Sequence, residues 1–168
     1  MSLCRILRPY YKLFKRSKSL SSLSSYRDRS FYKYFVDFQT RLRDNDCYGH
    51  VNYVVYGEWI DSTIDKFLIE QCSFDHSKSS LLDYVVYSHC EYYSPISYPS
   101  IISAGLFVKR IGKSSVDYQV GIFENNKSLK ASAVGGFTSV FVDRMNQRPH
   151  SIDEQLRKQL LSISNIIQ

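Results

Sequence analysis

The spacing of hydrophobic positions predicts a strand and then a long helix in the first half of the chain. Apolar and polar positions alternate over residues 31–42, which is the period of a half-buried strand. The inner face of this strand would carry Tyr34, Val36, Phe38, Thr40 and Leu42. From Tyr53 to about Gln71 the period becomes helical. The apolar stripe of this helix is rich in aromatic residues and is expected to lie in the core; it consists of Tyr56, Trp59, Ile60, Thr63, Ile64, Phe67 and Leu68.

Four β-rich runs follow the helix, and the short turns between successive runs imply antiparallel pairing. Gly135-Gly136 interrupts the last run and indicates a bulge or a close approach of backbones. A capping-box pattern, Ser151 to Glu154, opens a C-terminal helix whose apolar side would carry Ile152, Leu156, Leu160 and Ile163. The four runs are Leu82–Tyr93, Ile101–Ile111, Val116–Ile122 and Lys130–Val142.

This order of elements favours an α+β fold in which a curved antiparallel sheet of about five strands wraps the long helix. A single helix covers only one face of such a sheet. We therefore expect the outer face of the sheet, or one of its edges, to meet another subunit.

The positive charge of the chain is concentrated at its beginning. The whole sequence has a net charge of +6, but residues 1–30 hold eight basic residues and one acid, a net +7, and residues 31–168 are left at −1. The first 30 residues also contain eight serines, and this composition is typical of a mitochondrial transit peptide. We predict a leader over residues 1–30, removed around residues 20–31, then a single domain over residues 31–168, and a mitochondrial matrix location. A disordered basic tail and a nucleic-acid-binding arm are the alternatives.

The rest of the composition narrows the possible functions. The four cysteines (Cys4, Cys47, Cys72 and Cys90) form no CxxC pair, and the four histidines have no zinc-ligand spacing, so we expect free thiols and no metal site. No apolar run approaches the ~18 residues of a membrane-spanning helix. The near-neutral body has no basic and aromatic stripe, so we expect no nucleic-acid partner.

The polar loop between the first strand and the helix is the most informative stretch. Acids, amides and a histidine crowd residues 44–52, directly before a helix start that presents unpaired N–H groups and the positive end of the helix dipole. A carboxylate and such N–H donors can act on one bound carbonyl, which suits acyl transfer. Asp44, Asp46 and Asn52 can equally serve only to cap the helix and shape the turn. The residues alone leave both interpretations open.

The stretch Arg43–Trp59 resembles the signature of hotdog-fold acyl-CoA thioesterases of the 4-hydroxybenzoyl-CoA thioesterase type. The resemblance continues, in the same order and spacing, at residues 90–95, 110–115 and 141–143, and it spans residues 34–160. It implies the hotdog fold, a long helix wrapped by an antiparallel sheet. It also implies hydrolysis of an acyl-CoA to a free acid and coenzyme A. No cofactor is implied, since coenzyme A is part of the substrate.

The resemblance also suggests residue roles. Asp46 matches the catalytic carboxylate, acting as nucleophile or as general base on water. Backbone N–H groups near Val51–Tyr53 match the oxyanion hole, and His50 and Asn52, with Gly49 before them in the motif, fit positions that shape the pocket. Many relatives have a second Asn where this chain has Tyr53. Trp59 is a further candidate, although its place in the apolar stripe also suits a core residue.

A second group of candidates lies further along the chain. Arg110, Lys113, Ser114 and Ser115 match a turn that often approaches the coenzyme A phosphates in relatives, and a solvated hairpin turn is the alternative. Glu91 either reaches the site from a neighbouring strand or is an ordinary sheet residue. The resemblance implies a homodimer or homotetramer built by edge-to-edge pairing of sheets, with acyl-CoA sites across the interface.

Two other functions remain open on the same fold. The first is an acyl-thioester hydratase or dehydratase that uses His50 and an acid such as Glu58. The second is a non-catalytic subunit that binds an acyl carrier.

Overall fold

Five strands form one antiparallel sheet in the computed structural model, which describes residues 26–164. The spatial order of the strands is β1-β3-β4-β5-β2, so β1 and β2 are the two edges. Along the chain the elements are β1 (Tyr34–Gln39), α1 (Tyr53–Cys72), β2 (Leu81–Tyr92), β3 (Ile101–Ile111), β4 (Ser115–Phe123), β5 (Ala133–Asp143) and α2 (Glu154–Ser162).

The long helix α1 lies on the concave face of the sheet and supplies much of the main core. Its side chains pack against residues of β3, β4 and β5, and against Ile152, Leu156 and Leu160 at α2. The predicted stripe is buried along its whole length, from Tyr56 to Leu68. Asn52 caps the start of α1, and Ser73 ends the helix in the left-handed conformation. The α+β fold expected from the sequence is confirmed.

Three local predictions are wrong. Leu42 does not continue the buried face of the first strand, because Arg41 and Asp44 bond to each other and close a 3-10 turn at Leu42–Asp44, which leaves Leu42 exposed. The cap of α2 is Asp153, whose carboxylate accepts the N–H of Leu156, and Ser151 lies outside the helix. The last strand begins at Ala133, because Lys130 and Ala131 pair with Asp28 and Arg27 instead of continuing the strand.

A second cluster of aromatic residues covers part of the outer face of the sheet. Tyr32 lies directly over two glycines of neighbouring strands, and a Cβ at Gly105 or Gly121 would come within 2.7 Å or 2.6 Å of its side-chain atoms. Phe31 packs on Phe107 with the two rings tilted and their centroids 4.2 Å apart. These glycines therefore make room for a segment that runs across the sheet, residues 26–32, which we call the strap.

Backbone hydrogen bonds fasten the strap to the turn between β4 and β5. Arg29 N–H donates to the Leu129 carbonyl at 2.9 Å, and Ala131 N–H donates to the Arg27 carbonyl at 2.8 Å. The Arg29 guanidinium lies over the rings of Phe35 and Phe123, 4.3 Å and 5.0 Å from their centroids. Residues 26–30 belong to the leader predicted from the sequence, and residues 1–25 of that leader lie outside the described residues.

Candidate functional site

The loop before α1 is a tight reversal that begins at Asp46. Asn45 and Val51 pair as an antiparallel bridge, the Asp46 N–H donates to the His50 carbonyl at 2.7 Å, and the Gly49 N–H donates to the Asp46 carbonyl at 3.1 Å. Gly49 has a φ of +77°, a conformation that side chains rarely adopt, so glycine is needed at this corner. The loop returns the chain to the start of α1 beside Asp46.

One oxygen of the Asp46 carboxylate is held by the loop and the other is available. Oδ1 accepts the N–H of Tyr48 at 2.8 Å and that of His50 at 3.3 Å. Oδ2 has no hydrogen-bond partner among residues 26–164, and the residue is half-buried. The carboxylate is therefore oriented by the backbone while keeping one oxygen free to contact a water or a substrate.

Asp44, the other acid of the pair, is fully occupied by the fold. It is 2% exposed, and its two carboxylate oxygens accept the N–H and the Nε–H of Arg41 at 2.7 Å and 2.8 Å. Its carbonyl also accepts the N–H of Asn52 at 2.8 Å. Asp44 therefore stabilises the loop and has no free oxygen to offer to a substrate.

The start of α1 has one unpaired N–H among the three candidate donors. Val51 donates to the Ile96 carbonyl at 2.8 Å and Asn52 donates to Asp44, while the Asn52 side chain accepts the N–H of Val54 at 3.1 Å. The N–H of Tyr53, the first residue of the helix, has no partner within the described part of the chain. The helix dipole places partial positive charge at this position, so Tyr53 N–H is suited to an oxyanion.

Aromatic side chains line α1 next to this N–H. Tyr92, at the end of β2, donates its hydroxyl to the Tyr53 carbonyl at 3.4 Å and packs edge-to-face on Tyr56, whose ring packs in turn on Trp59. Burial raises the pKa of Tyr56 to about 12 and that of Tyr92 further, so both hydroxyls are protonated at neutral pH. Trp59 is 5% exposed and is a core residue. The sequence motif included Tyr92, but only the structure shows its contact with the helix start.

The side chains of three other candidates are not joined to Asp46 by a hydrogen bond or an ion pair within residues 26–164. The imidazole of His50 has no hydrogen bond with residues 26–164, and Glu58 pairs with Arg41 at 3.2 Å. Glu91 lies opposite Val134 of the outer cluster and accepts the hydroxyl of Tyr93 at 2.6 Å, so its carboxylate is on the face away from α1. The hydratase pairing of His50 with Glu58 is therefore not present in this structure.

The predicted phosphate-binding turn lies at the far end of the sheet from Asp46. Ser114 accepts the N–H of Phe141, near the end of β5, whereas the Asp46 loop lies near Tyr92, at the opposite end of β2. β2 has twelve residues, a length of about 35 Å. Arg110 bonds to Asp117 at 2.9 Å, and Lys113 is exposed, as are in part Ser114 and Ser115. One chain alone does not bring this turn and Asp46 together.

Metal binding and membrane spanning find no support in the described residues. No group of three or more His, Cys, Asp or Glu side chains among residues 26–164 is arranged to hold a metal ion. Cys47, Cys72 and Cys90 are free thiols. In the same range, no helix combines the length and the apolar character needed to cross a bilayer.

Similar structures come from several bacteria. The PA5185 protein of Pseudomonas aeruginosa strain PAO1 is 37% identical, with a TM-score of 0.79 over 84% of this chain and 99% of that chain. A thioesterase superfamily protein from Jannaschia sp. CCS1 is 18% identical, with a TM-score of 0.72 over 78% of this chain and 82% of its own. A 1,4-dihydroxy-2-naphthoyl-CoA thioesterase from Synechocystis is 11% identical, with a TM-score of 0.69 over 77% and 96% of the two chains.

Sequence comparison gives the family directly. No curated protein sequence matches this chain. The sequence profile of the Thioesterase-like superfamily matches residues 40–160, which include the Asp46 loop, all of α1 and four of the five strands. The chain therefore belongs to the Thioesterase-like superfamily.

Proposed function

We propose that this protein is an acyl-CoA thioesterase of the 4-hydroxybenzoyl-CoA thioesterase type. The observation that supports this most directly is the pairing of two unused groups at one loop. These groups are the free oxygen of the Asp46 carboxylate and the unpaired N–H of Tyr53. Membership of the Thioesterase-like superfamily makes thioester hydrolysis the reaction that this pair would serve.

Each group has a definite task in the proposed reaction. As general base, Asp46 takes a proton from a water whose oxygen bonds to the thioester carbonyl carbon. The carbonyl oxygen becomes an oxyanion, which accepts the Tyr53 N–H at the positive end of the α1 dipole. The C–S bond then breaks, and the coenzyme A thiolate leaves and takes up the proton. As nucleophile, Asp46 would instead form a mixed anhydride with the acyl group, which water then hydrolyses to the same products.

The surrounding loop residues keep this pair in position. The left-handed Gly49 allows the reversal that directs the N–H groups of Tyr48 and His50 at Asp46. Asn52 caps the helix and occupies the N–H of Val54, so Tyr53 is the donor left for the substrate. In the proposal, His50 and Asn52 shape the pocket, and neither is required as the base.

The direct test is Asp46→Asn, which keeps the shape of the side chain and removes its basicity. We expect protein with this substitution to lose ~10²-fold or more in kcat/KM, the scale of a positioned acid or base group. Thiol release would be measured on short, medium, long and aromatic acyl-CoAs. Asp37→Asn, on an exposed position of β1, is the matched control and should retain full activity.

Two results would contradict the proposal. In one, Asp46→Asn hydrolyses acyl-CoAs as fast as the wild type. In the other, the wild type binds acyl-CoAs and releases no thiol from any of them, which would point to the non-catalytic carrier-binding subunit. Hydration of an enoyl-CoA by the wild type would favour the hydratase instead.

We further propose that the enzyme works as a homodimer paired through β2. β2 is an edge strand of twelve residues, and its centre is apolar and exposed: Tyr84, Val85, Val86 and Tyr87 are 47%, 48%, 60% and 59% exposed. A long, apolar, unpaired edge is a ready template for another strand. An isologous pair about a two-fold axis would satisfy it.

Such a dimer would also complete the acyl-CoA site. Antiparallel pairing of two β2 strands places the beginning of one strand beside the end of the other. The partner's phosphate-binding turn would then lie at the same end of the sheet as this chain's Asp46. We propose that Arg110, Lys113, Ser114 and Ser115 bind the coenzyme A phosphates from across the interface.

A further inference from the structure

A gap separates the middle of α1 from the edge strand β2, and Gly57 lies beside it. The helix and the strand are bridged at both ends of this gap. At one end the Tyr92 hydroxyl contacts the Tyr53 carbonyl at 3.4 Å. At the other end His76 lies 3.5 Å from Asp65 of α1 and 3.4 Å from Asp83 of β2.

Helical spacing puts Gly57 on the bridged side of α1. Gly57 is four residues after Tyr53, four before Asp61 and eight before Asp65, so all four lie along one face of the helix. A Cβ added at Gly57 would meet no atom of residues 26–164 within 4 Å. Gly57 lies nearer to the Tyr53 bridge than to the Asp65 bridge, so the part of β2 that faces it is the end at Tyr92. No residue of the described range 26–164 therefore fills the space beside Gly57.

Neither the backbone nor the packing of this chain requires a glycine at this position. Gly57 is in the second turn of a regular helix and has no positive φ, and glycine is the poorest helix former after proline. Alanine would fit the chain and favour the helix. A glycine here makes sense if something outside the chain occupies the space that a side chain would fill.

The position of the gap indicates what that occupant is. Gly57 is one helical turn, about 6 Å along the axis, from the Tyr53 N–H that would hold the thioester oxygen. The walls of the gap beside Gly57 are aromatic, at Tyr53 and Tyr92. An acyl group whose carbonyl sits at Tyr53 would have its first few carbon atoms beside Gly57.

We propose that Gly57 determines acyl specificity by admitting apolar acyl groups that are bulky close to the thioester, either branched or ring-bearing. This inference rests on the proposed thioesterase function and goes beyond it, because it assigns the position that limits the acyl group. A side chain at residue 57 would exclude bulk near the carbonyl and would leave a two-carbon acyl group unaffected.

The test compares Gly57→Ala and Gly57→Leu with Ser62→Ala and Ser62→Leu, which change an exposed position on another face of α1. Thiol release would be measured with acetyl-CoA, isobutyryl-CoA, benzoyl-CoA and decanoyl-CoA. We expect Gly57→Leu to lose at least about tenfold in kcat/KM for isobutyryl-CoA and benzoyl-CoA and to keep acetyl-CoA within about twofold. Gly57→Ala should show a smaller loss of the same pattern and a melting temperature about 2–4 °C higher.

A binding measurement separates this inference from the proposed function. In the Asp46→Asn background, calorimetry with the same acyl-CoAs should show that Gly57→Leu weakens binding of benzoyl-CoA and not of acetyl-CoA. This result would support the inference even if turnover were found to need a different base. Three outcomes would overturn it: unchanged selectivity in Gly57→Leu, an equal loss for every acyl-CoA, or loss of the oligomer, which would mean that the space holds a second copy of the chain.

Discussion

Asp44 and Asp46 have opposite environments, and they differ in how many of their carboxylate oxygens accept a hydrogen bond. Both oxygens of Asp44 accept a hydrogen bond from Arg41, and the residue is buried. Only Oδ1 of Asp46 is bonded within the described residues. An asparagine has one accepting oxygen, so it can replace Asp46 without losing a hydrogen bond and cannot replace Asp44.

This contrast gives a prediction about stability. We expect Asp44→Asn to lower the free energy of unfolding by about 2 kcal/mol, because its amide N–H₂ must face an N–H donor of Arg41 and the charge-assisted bond is lost. Asp46→Asn should change it by less than about 0.5 kcal/mol. Urea unfolding followed by the fluorescence of Trp59 would measure both. Equal destabilisation by the two substitutions would contradict the assignment of Asp44 to the fold and Asp46 to the site.

The sequence predicted which loop forms the candidate site, but it did not predict the role of each residue in that loop. The crowding of polar residues before a helix start predicted the place, and the resemblance pointed to Asp46. The donor was predicted only as the region Val51–Tyr53, because the occupancy of each N–H depends on residues distant in the chain. The N–H of Val51 donates to the carbonyl of Ile96, which is 45 positions away, and no local pattern in the sequence shows that contact.

At the scale of elements, periodicity predicted the regular structure well and the irregular contacts poorly. The second of the four predicted β-rich runs, Ile101–Ile111, has the bounds of β3, and α1 differs by one residue at its end. Leu42 was misassigned because the alternation of apolar residues continues into a 3-10 turn. The strap was not predicted, since its aromatic residues pack on strands far along the chain, across Gly105 and Gly121.

The strap leads to a prediction about where the leader ends. We propose that the mitochondrial import signal lies before Tyr26, because Arg27 and Arg29 make specific contacts with the sheet and with the turn between β4 and β5. Protein that begins at Tyr26 should keep full stability. Protein that begins at Phe31 should be less stable by about 1–2 kcal/mol, the scale of two lost cation–π contacts and their hydrogen bonds.

Two measurements check this boundary. Urea unfolding compares the two truncated proteins, and equal stabilities would show that residues 26–30 are dispensable. A fluorescent fusion of residues 1–25 expressed in eukaryotic cells should enter mitochondria, and a fusion that lacks those residues should stay outside. Import of the fusion that lacks residues 1–25 would contradict the assignment of the basic segment as an import signal.

At the scale of the whole molecule, the two halves of the proposed site lie apart in one chain and would be brought together by a second chain. The apolar edge of β2 is exposed at its centre, and the Asp46 loop and the 110–115 turn lie at opposite ends of the strand. Pairing two β2 strands would cover the edge and also bring the two halves of the site together. From the sequence we expected another subunit because one helix covers only one face of the sheet, and the resemblance implied an oligomer, but neither could show which end of the sheet carries each half of the site.

Mixing two differently impaired proteins tests this shared site. Asp46→Asn should lower turnover by ~10²-fold or more, and Lys113→Glu should raise the KM for acyl-CoA by about tenfold, since it places an acid beside the coenzyme A phosphates. If the site is shared, each mixed dimer contains one site with a native Asp46 and a native Lys113 from the partner subunit. Co-refolding equal amounts should then restore the native KM in about a quarter of all sites.

The mixing experiment assumes that the two chains pair through β2, and one further substitution tests that assumption. Val86→Lys places a charge at the exposed centre of β2, so it should give a monomer by light scattering and lose most activity, because the phosphate-binding turn no longer reaches Asp46. Leu129→Lys, at an exposed apolar position in the turn between β4 and β5, should leave both the dimer and the activity intact. If the mixed sample showed no low-KM component while Val86→Lys stayed dimeric and active, each chain would have to bind coenzyme A by itself through residues other than the 110–115 turn.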